Sequence, residues 1–202
     1  MSRLLFIAIV LCLPITAMAK SIVVLGDSIS AGYGIEAGKG WVSLLQNRLA
    51  AEKSPCVIHN ESISGDTSAG GLARIDQSLA RHKPDIVLIE LGANDGLRGL
   101  SPKLLKNNLA EIARRAQKAG AKVLLLSMRI PPNYGKRYTE SFYKVYAELA
   151  TEMRISYIPF ILEDVALVKE LMQADGLHPN AKAQPLIAEK VWGHLRPLLK
   201  LK

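Results

Sequence analysis

The chain has 202 residues, a length that fits one domain, and carries 26 Lys and Arg against 18 Asp and Glu for a formal net charge of +8. Its basic residues are scattered with few aromatics among them, which argues against a nucleic-acid surface, where a stripe or patch is needed. A mild attraction to anionic lipid or to phosphate-bearing molecules is all that this charge supports.

Taken in order, the chain opens with a targeting segment. Arg3 supplies a positive start, Leu4 to Leu13 an apolar run, and Ala17-Met18-Ala19 a small-residue cleavage site. The apolar run is too short to span a bilayer comfortably, so residues 1–19 read as a signal peptide cleaved before Lys20. The remaining chain, 20–202, holds no second long apolar stretch, and no stable membrane insertion is expected. Cys12 leaves with the segment, which makes Cys56 a lone thiol and a candidate buried apolar residue.

Five apolar runs recur every thirty-odd residues: 22–25, 57–60, 86–90, 123–126 and 156–158. They lack period-2 alternation, the pattern of strands covered on both faces. Helical spacing lies between them, as in Trp41, Leu44, Leu45 and Leu49, or Leu105, Leu109, Ile112 and Ala116. Ser101-Pro102 offers a cap and a first-turn proline, and Gly120 suits the position after a helix. A final helix carries Ile187, Val191 and Leu195, and Pro185 moves its start a few residues beyond Asn180. Strands alternating with helices predict a three-layer α/β/α domain on a parallel sheet.

Four loops after these strands carry the chemistry. Gly26-Asp27-Ser28 follows the first strand, where open parallel sheets place their ligands. The second leads to Ser64-Gly65-Asp66-Thr67, the third to Gly92-Ala93-Asn94-Asp95, and the last loop holds Asp175-Gly176-Leu177-His178. A serine hydroxyl needs a base to become a nucleophile, and His178 is the candidate, with Asp175 three residues earlier to fix its tautomer. The backbone N–H groups of Ser28 and Gly65 and the side-chain amide of Asn94 are candidate oxyanion donors. Asp27 reads as a turn-shaping residue and Asp95 as a support of the Asn94 loop. His59, His82 and His194 have no partner that spacing reveals, and no His/Cys/Asp/Glu spacing suggests a metal site.

In order and spacing these stretches resemble the SGNH hydrolases, also called the GDSL family. Ser28, Gly65, Asn94 and His178 fall on the family's four motif positions, with Asp175 as the triad acid and Ile29 in place of the usual leucine. Further stretches, Gly71-Leu72-Ala73-Arg74, 94–99 and Asn133-Tyr134-Gly135, resemble its exported bacterial acyl-CoA thioesterase, lysophospholipase and arylesterase branch. The resemblance implies a flavodoxin-like fold of five parallel strands ordered 2-1-3-4-5, no metal or other cofactor, and periplasmic residence.

The function expected is therefore hydrolysis of small-molecule acyl esters and thioesters, by a monomer. Leu97 and Leu100, in a loop read as a mobile flap, and Ile130, Pro131 and Tyr134 are candidate walls of an acyl groove. A carbohydrate acetylesterase on the same fold is the rival within enzymes, disfavoured by those apolar loop residues. A flavodoxin-like binding module is the rival outside them, and it has no use for Ser28, Asn94 and His178 together.

Overall fold

The computed structural model describes residues 20–199; the expected signal peptide lies outside the described residues. Five parallel strands form one sheet in the order β2-β1-β3-β4-β5: β1 (Ser21–Gly26), β2 (Val57–Asn60), β3 (Ile86–Glu90), β4 (Lys122–Leu126) and β5 (Ser156–Ile158). Each expected strand is present, within a residue at either end.

The helices fill both faces. A single turn, α1 (Ser28–Ala31), leaves β1, followed by α2 (Trp41–Ala51). Next come α3 (Ser68–His82), the short α4 (Ala93–Leu97), α5 (Pro102–Lys118), α6 (Lys136–Met153) and α7 (Gln184–Leu199). Helices α3, α5 and α6 pack side by side on one face, while α2 and α7 pair on the other. Right-handed crossovers require this division: the chain moves one way from β1 to β2 and the opposite way for every later strand. The reversal opens a crevice beyond the carboxyl ends of β1 and β3, where ligands of such sheets bind.

Burial follows the layers. Ile22 to Leu25 and Val87 to Ile89 are inaccessible to solvent, as are Trp41 and Leu49 of α2 and Leu109 and Ile112 of α5. Cys56 is buried too, as expected of a small apolar side chain. The expectation that every strand is covered on both faces fails at the sheet's edges, where Val57 and Ser156 are exposed. An edge strand has a neighbour on one side only, and short strands such as these are how natural sheets blunt that liability.

The expected helix boundaries hold with one exception. Pro102 begins α5, yet Ser101 makes no side-chain capping bond. Gly120 takes a positive φ just past the helix end, and α7 starts at Gln184 with Pro185 in its first turn, where a missing N–H costs nothing.

Candidate active site

Register sets the site. Gly26 pairs with Glu90 across β1 and β3, so the two chains leave the sheet side by side, one into Asp27-Ser28 and the other into Gly92-Ala93-Asn94. Asp27 is the N-cap of α1, with its Oδ1 accepting from Ile29 N–H at 3.0 Å. That cap satisfies an otherwise orphaned donor and places Ser28 at the first position of the helix.

The distant loop comes to meet it. His178 Nε2 lies 2.8 Å from Ser28 Oγ, and His178 Nδ1 lies 2.6 Å from Asp175 Oδ2. The same carboxylate's Oδ1 accepts the backbone N–H groups of Leu177 and His178 at 2.9 and 3.0 Å. These bonds, the His178 backbone N–H foremost, hold the Asp175 carboxyl down at about 2. An ionised Asp175 accepting from Nδ1–H leaves Nε2 as the bare nitrogen that faces the serine hydroxyl.

The three candidate oxyanion donors are in the following states. Among the described residues no hydrogen bond uses the backbone N–H of Ser28 or of Gly65. Gly65 sits at φ +80°, strained for any other residue, and a Cβ there would point into open space. Asn94 donates one amide hydrogen to Asp27 Oδ2 at 3.1 Å, leaving its second hydrogen to point elsewhere.

Asp27 thus does more than shape a turn. It is inaccessible to solvent and touches a second buried acid, Glu90, whose Oε2 accepts from Asp27 N–H at 3.3 Å and from Ser30 Oγ at 2.5 Å. Burial pushes the Asp27 carboxyl up to about 6. Burial and the neighbouring Asp27 charge push Glu90 well above the usual carboxylate range. Glu90 Oε1 is buried without a partner among the described residues, so an ionised Glu90 would leave an oxygen unsolvated. Glu90 is therefore the neutral member of the pair. Sequence reading missed it because it ends an apolar strand as an isolated acid, 63 residues from its partner.

The supporting bonds are likewise long-range. Asp95 accepts from both the N–H and the hydroxyl of Ser68, fastening α4 to the start of α3, as expected of a support. Arg74 reaches Asp66 at 2.8 Å, the Gly26 carbonyl at 3.2 Å and the Glu61 carbonyl, clamping the Gly65 loop to β1. Arg98 donates to the Gly65 carbonyl at 2.9 Å. Neither arginine was singled out from spacing, although both lie within the stretches that carry the family resemblance.

The five candidate wall residues fall into two stretches that touch. Tyr134 Oη donates to the Leu97 carbonyl at 2.8 Å, and Tyr138 Oη to the Leu100 carbonyl at 2.6 Å. Leu97, Leu100 and Pro131 are half-buried and Tyr134 is exposed. Ile130 is buried beneath Gly96, where any Cβ would come within 2.4 Å of its methyl. The remaining histidines are locally satisfied. His82 pairs with Glu61 at 2.6 Å and stacks on His59, and His194 Nδ1 lies 3.1 Å from the Lys190 carbonyl. Among the described residues no group of three or more His, Cys, Asp or Glu could hold a metal ion.

The sequence profile of the GDSL-like lipase/acylhydrolase family matches residues 24–185, which takes in all four loops. The chain belongs to this family. It is 54% identical over 183 residues to Esterase TesA of Pseudomonas aeruginosa, covering 91% of each chain. It is 43% identical over 194 residues to Thioesterase 1/protease 1/lysophospholipase L1 of Escherichia coli K12, covering 96% of this chain and 92% of that one. A crystal structure of TesA superimposes with a TM-score of 0.86 at 53% identity, covering 89% of this chain and 99% of the other. Membership agrees with the fold observed, a five-stranded parallel sheet in the order 2-1-3-4-5.

Proposed function

We propose that this protein is a serine esterase and thioesterase that cleaves acyl esters and acyl thioesters through a Ser28–His178–Asp175 triad. The observation that carries the reading is the unbroken relay from Ser28 Oγ through the His178 ring to Asp175, with spacings of 2.8 and 2.6 Å. Ser28 Oγ attacks the acyl carbonyl as its proton passes to His178 Nε2, and Asp175 steadies the imidazolium so formed. The N–H groups of Ser28 and Gly65 and the free amide hydrogen of Asn94 receive the oxyanion. His178 then protonates the leaving oxygen or sulfur, and a water activated by the same nitrogen releases the acid from Ser28. No cofactor takes part.

Esters, thioesters and lysophospholipids are the substrate classes this reading takes from the esterase and thioesterase/lysophospholipase named above, and acyl-CoA is the thioester it adds. Leu97, Leu100, Ile130, Pro131 and Tyr134 line the acyl side, and the pinning of 96–100 by two tyrosine hydroxyls makes that side a joint surface of two loops. The protein acts as a monomer in the periplasm after loss of residues 1–19, which amino-terminal sequencing of the secreted form checks at Lys20. No described helix is long and apolar enough to cross a membrane.

The test is hydrolysis of p-nitrophenyl esters from acetate to palmitate by the mature protein and by Ser28→Ala. Turnover that peaks at medium or long chains and disappears in the variant is expected. A peak at acetate with a steep decline would favour carbohydrate acetylester hydrolysis instead, and activity surviving in Ser28→Ala would reject the triad.

A further inference from the structure

Tyr33 has no role in the chemistry so far, yet its position is fixed. Its ring centroid lies 4.6 Å from that of His178, with the planes tilted by 40°. The residue is 53% exposed, an unusual fate for a large aromatic that also touches a candidate catalytic base.

The backbone holds it there. Tyr33 sits between Gly32 and Gly34, both at positive φ, in a tight turn that no other residue pair adopts without strain. Gln173 Nε2 donates to the Tyr33 carbonyl at 2.8 Å and to the Pro179 carbonyl at 3.1 Å, while Gln173 N–H donates to the His178 carbonyl at 2.8 Å. A Cβ on Gly34 would lie 2.4 Å from Gln173 Oε1, so glycine lets the turn seat against that amide. Gln173, 140 residues from Tyr33, thus couples the loop bearing Tyr33 to the loop bearing His178.

Proton transfer fixes what Tyr33 must meet. The leaving atom takes its proton from His178 Nε2 and so departs from within hydrogen-bond reach of that nitrogen. Nε2 belongs to the ring that Tyr33 packs against at a tilt, and about half of the tyrosine's surface is open to a ligand. We propose that Tyr33 is a specificity-determining residue, the wall of the leaving-group side, and that it favours flat apolar leaving groups such as phenols over small aliphatic alcohols.

The inference rests on the triad reading above. In the acylation step the Ser28 Oγ–carbonyl bond forms and the carbonyl–phenol oxygen bond breaks. The serine proton passes through His178 to the phenol oxygen, which leaves along the Tyr33 face. In deacylation water attacks, the Ser28 Oγ–acyl bond breaks and the serine regains its proton through His178, so no phenol ring is present to meet Tyr33.

Phenyl and ethyl esters of the same acid, butyrate, separate these effects when hydrolysed in a pH-stat by wild type, Tyr33→Phe and Tyr33→Ala. Tyr33→Ala is expected to lower kcat/KM for the phenyl ester roughly five- to tenfold, the scale of one aromatic contact. The ethyl ester should change less than about twofold, and Tyr33→Phe, which keeps the ring, should match wild type on both. Equal losses on the two esters would show that Tyr33 only steadies His178, and no loss on either would show that leaving groups do not touch it. Both results overturn the proposal. Ser28→Ala in the same panel tests the parent reading separately, because it must abolish both activities whatever Tyr33 does. Tyr33 is half-exposed, so unchanged thermal melts are expected and verify that the variants fold.

Discussion

Two aspartates lie within one hydrogen bond of the proposed machinery, and their environments drive them in opposite directions. Asp27 is inaccessible to solvent and its carboxyl is pushed up to about 6, chiefly by burial. Asp175 is exposed, and backbone N–H donors from its own loop hold it at about 2. One side of the site is thus built into the sheet, with Glu90, Asp95 and Arg74 bonded across long stretches of chain. The other hangs on a six-residue turn from Gln173 to His178, tied back through Gln173. Burial gives a fixed donor for the oxyanion, whereas the exposed turn gives an acid that is ionised at every working pH. On the proposed triad, positioning falls to Asp27 and charge stabilisation to Asp175.

The largest effect that would break the contrast comes from Asp175→Asn. An amide cannot hold the same tautomer, so Nε2 carries the proton and the serine loses its base. A loss of kcat by a factor of about 10³ to 10⁴ is expected, with little change in KM, because ground-state binding does not use Asp175. Steady-state kinetics on one ester decides it. A loss below tenfold would mean that Asp175 only shapes the turn.

Asp27→Asn comes next. Its oxygen can keep the Ile29 cap, but its NH₂ group then faces the Asn94 amide donor, and one of the two must turn away. Removing an oxyanion donor costs about 10² to 10³ in rate, and misdirecting Asn94 should stay at or below that ceiling. Asn94→Ala measures the ceiling in this protein. If Asp27→Asn adds nothing on top of Asn94→Ala, the two act through the same bond; full additivity would separate them.

The fold was legible for a physical reason that does not extend to these pairs. Runs such as Ile22–Leu25 and Ile86–Ile89 announce buried parallel strands by composition alone, and helical spacing with glycine and proline punctuation bounded the helices. As candidates, Ser28, Asn94 and His178 stood out because each follows a strand or ends a turn and carries an uncommon chemistry. Asp175 was legible because it is local to His178. The Asp27–Glu90 contact, the Gln173 tie and the Arg74 clamp were not, since each depends on register between distant segments and leaves no periodic trace. Edge exposure at Val57 was invisible for a related reason. A strand's place in the sheet is a property of the topology, not of its four residues.

The smallest effect sharpens the buried half. Glu90 and Asp27 both hold protons in the folded protein at pH values where the unfolded chain has released them. Stability therefore falls as pH rises from about 4.5, the ordinary value for Glu90, toward its raised folded value. Glu90→Gln is an isostere of the neutral acid, so it should match wild type near pH 4.5. Above that it should be the more stable, by about 1.4 kcal/mol per pH unit at most. For a chain of this size the gain is at most about 6 to 11 °C in Tm by pH 6.5, with activity within about twofold of wild type. Thermal melts of both proteins at pH 4.5 and 6.5 read it directly. A difference that stays constant with pH would mean that Glu90 carries its charge in the fold. That charge would then push Asp27 up further, on top of burial.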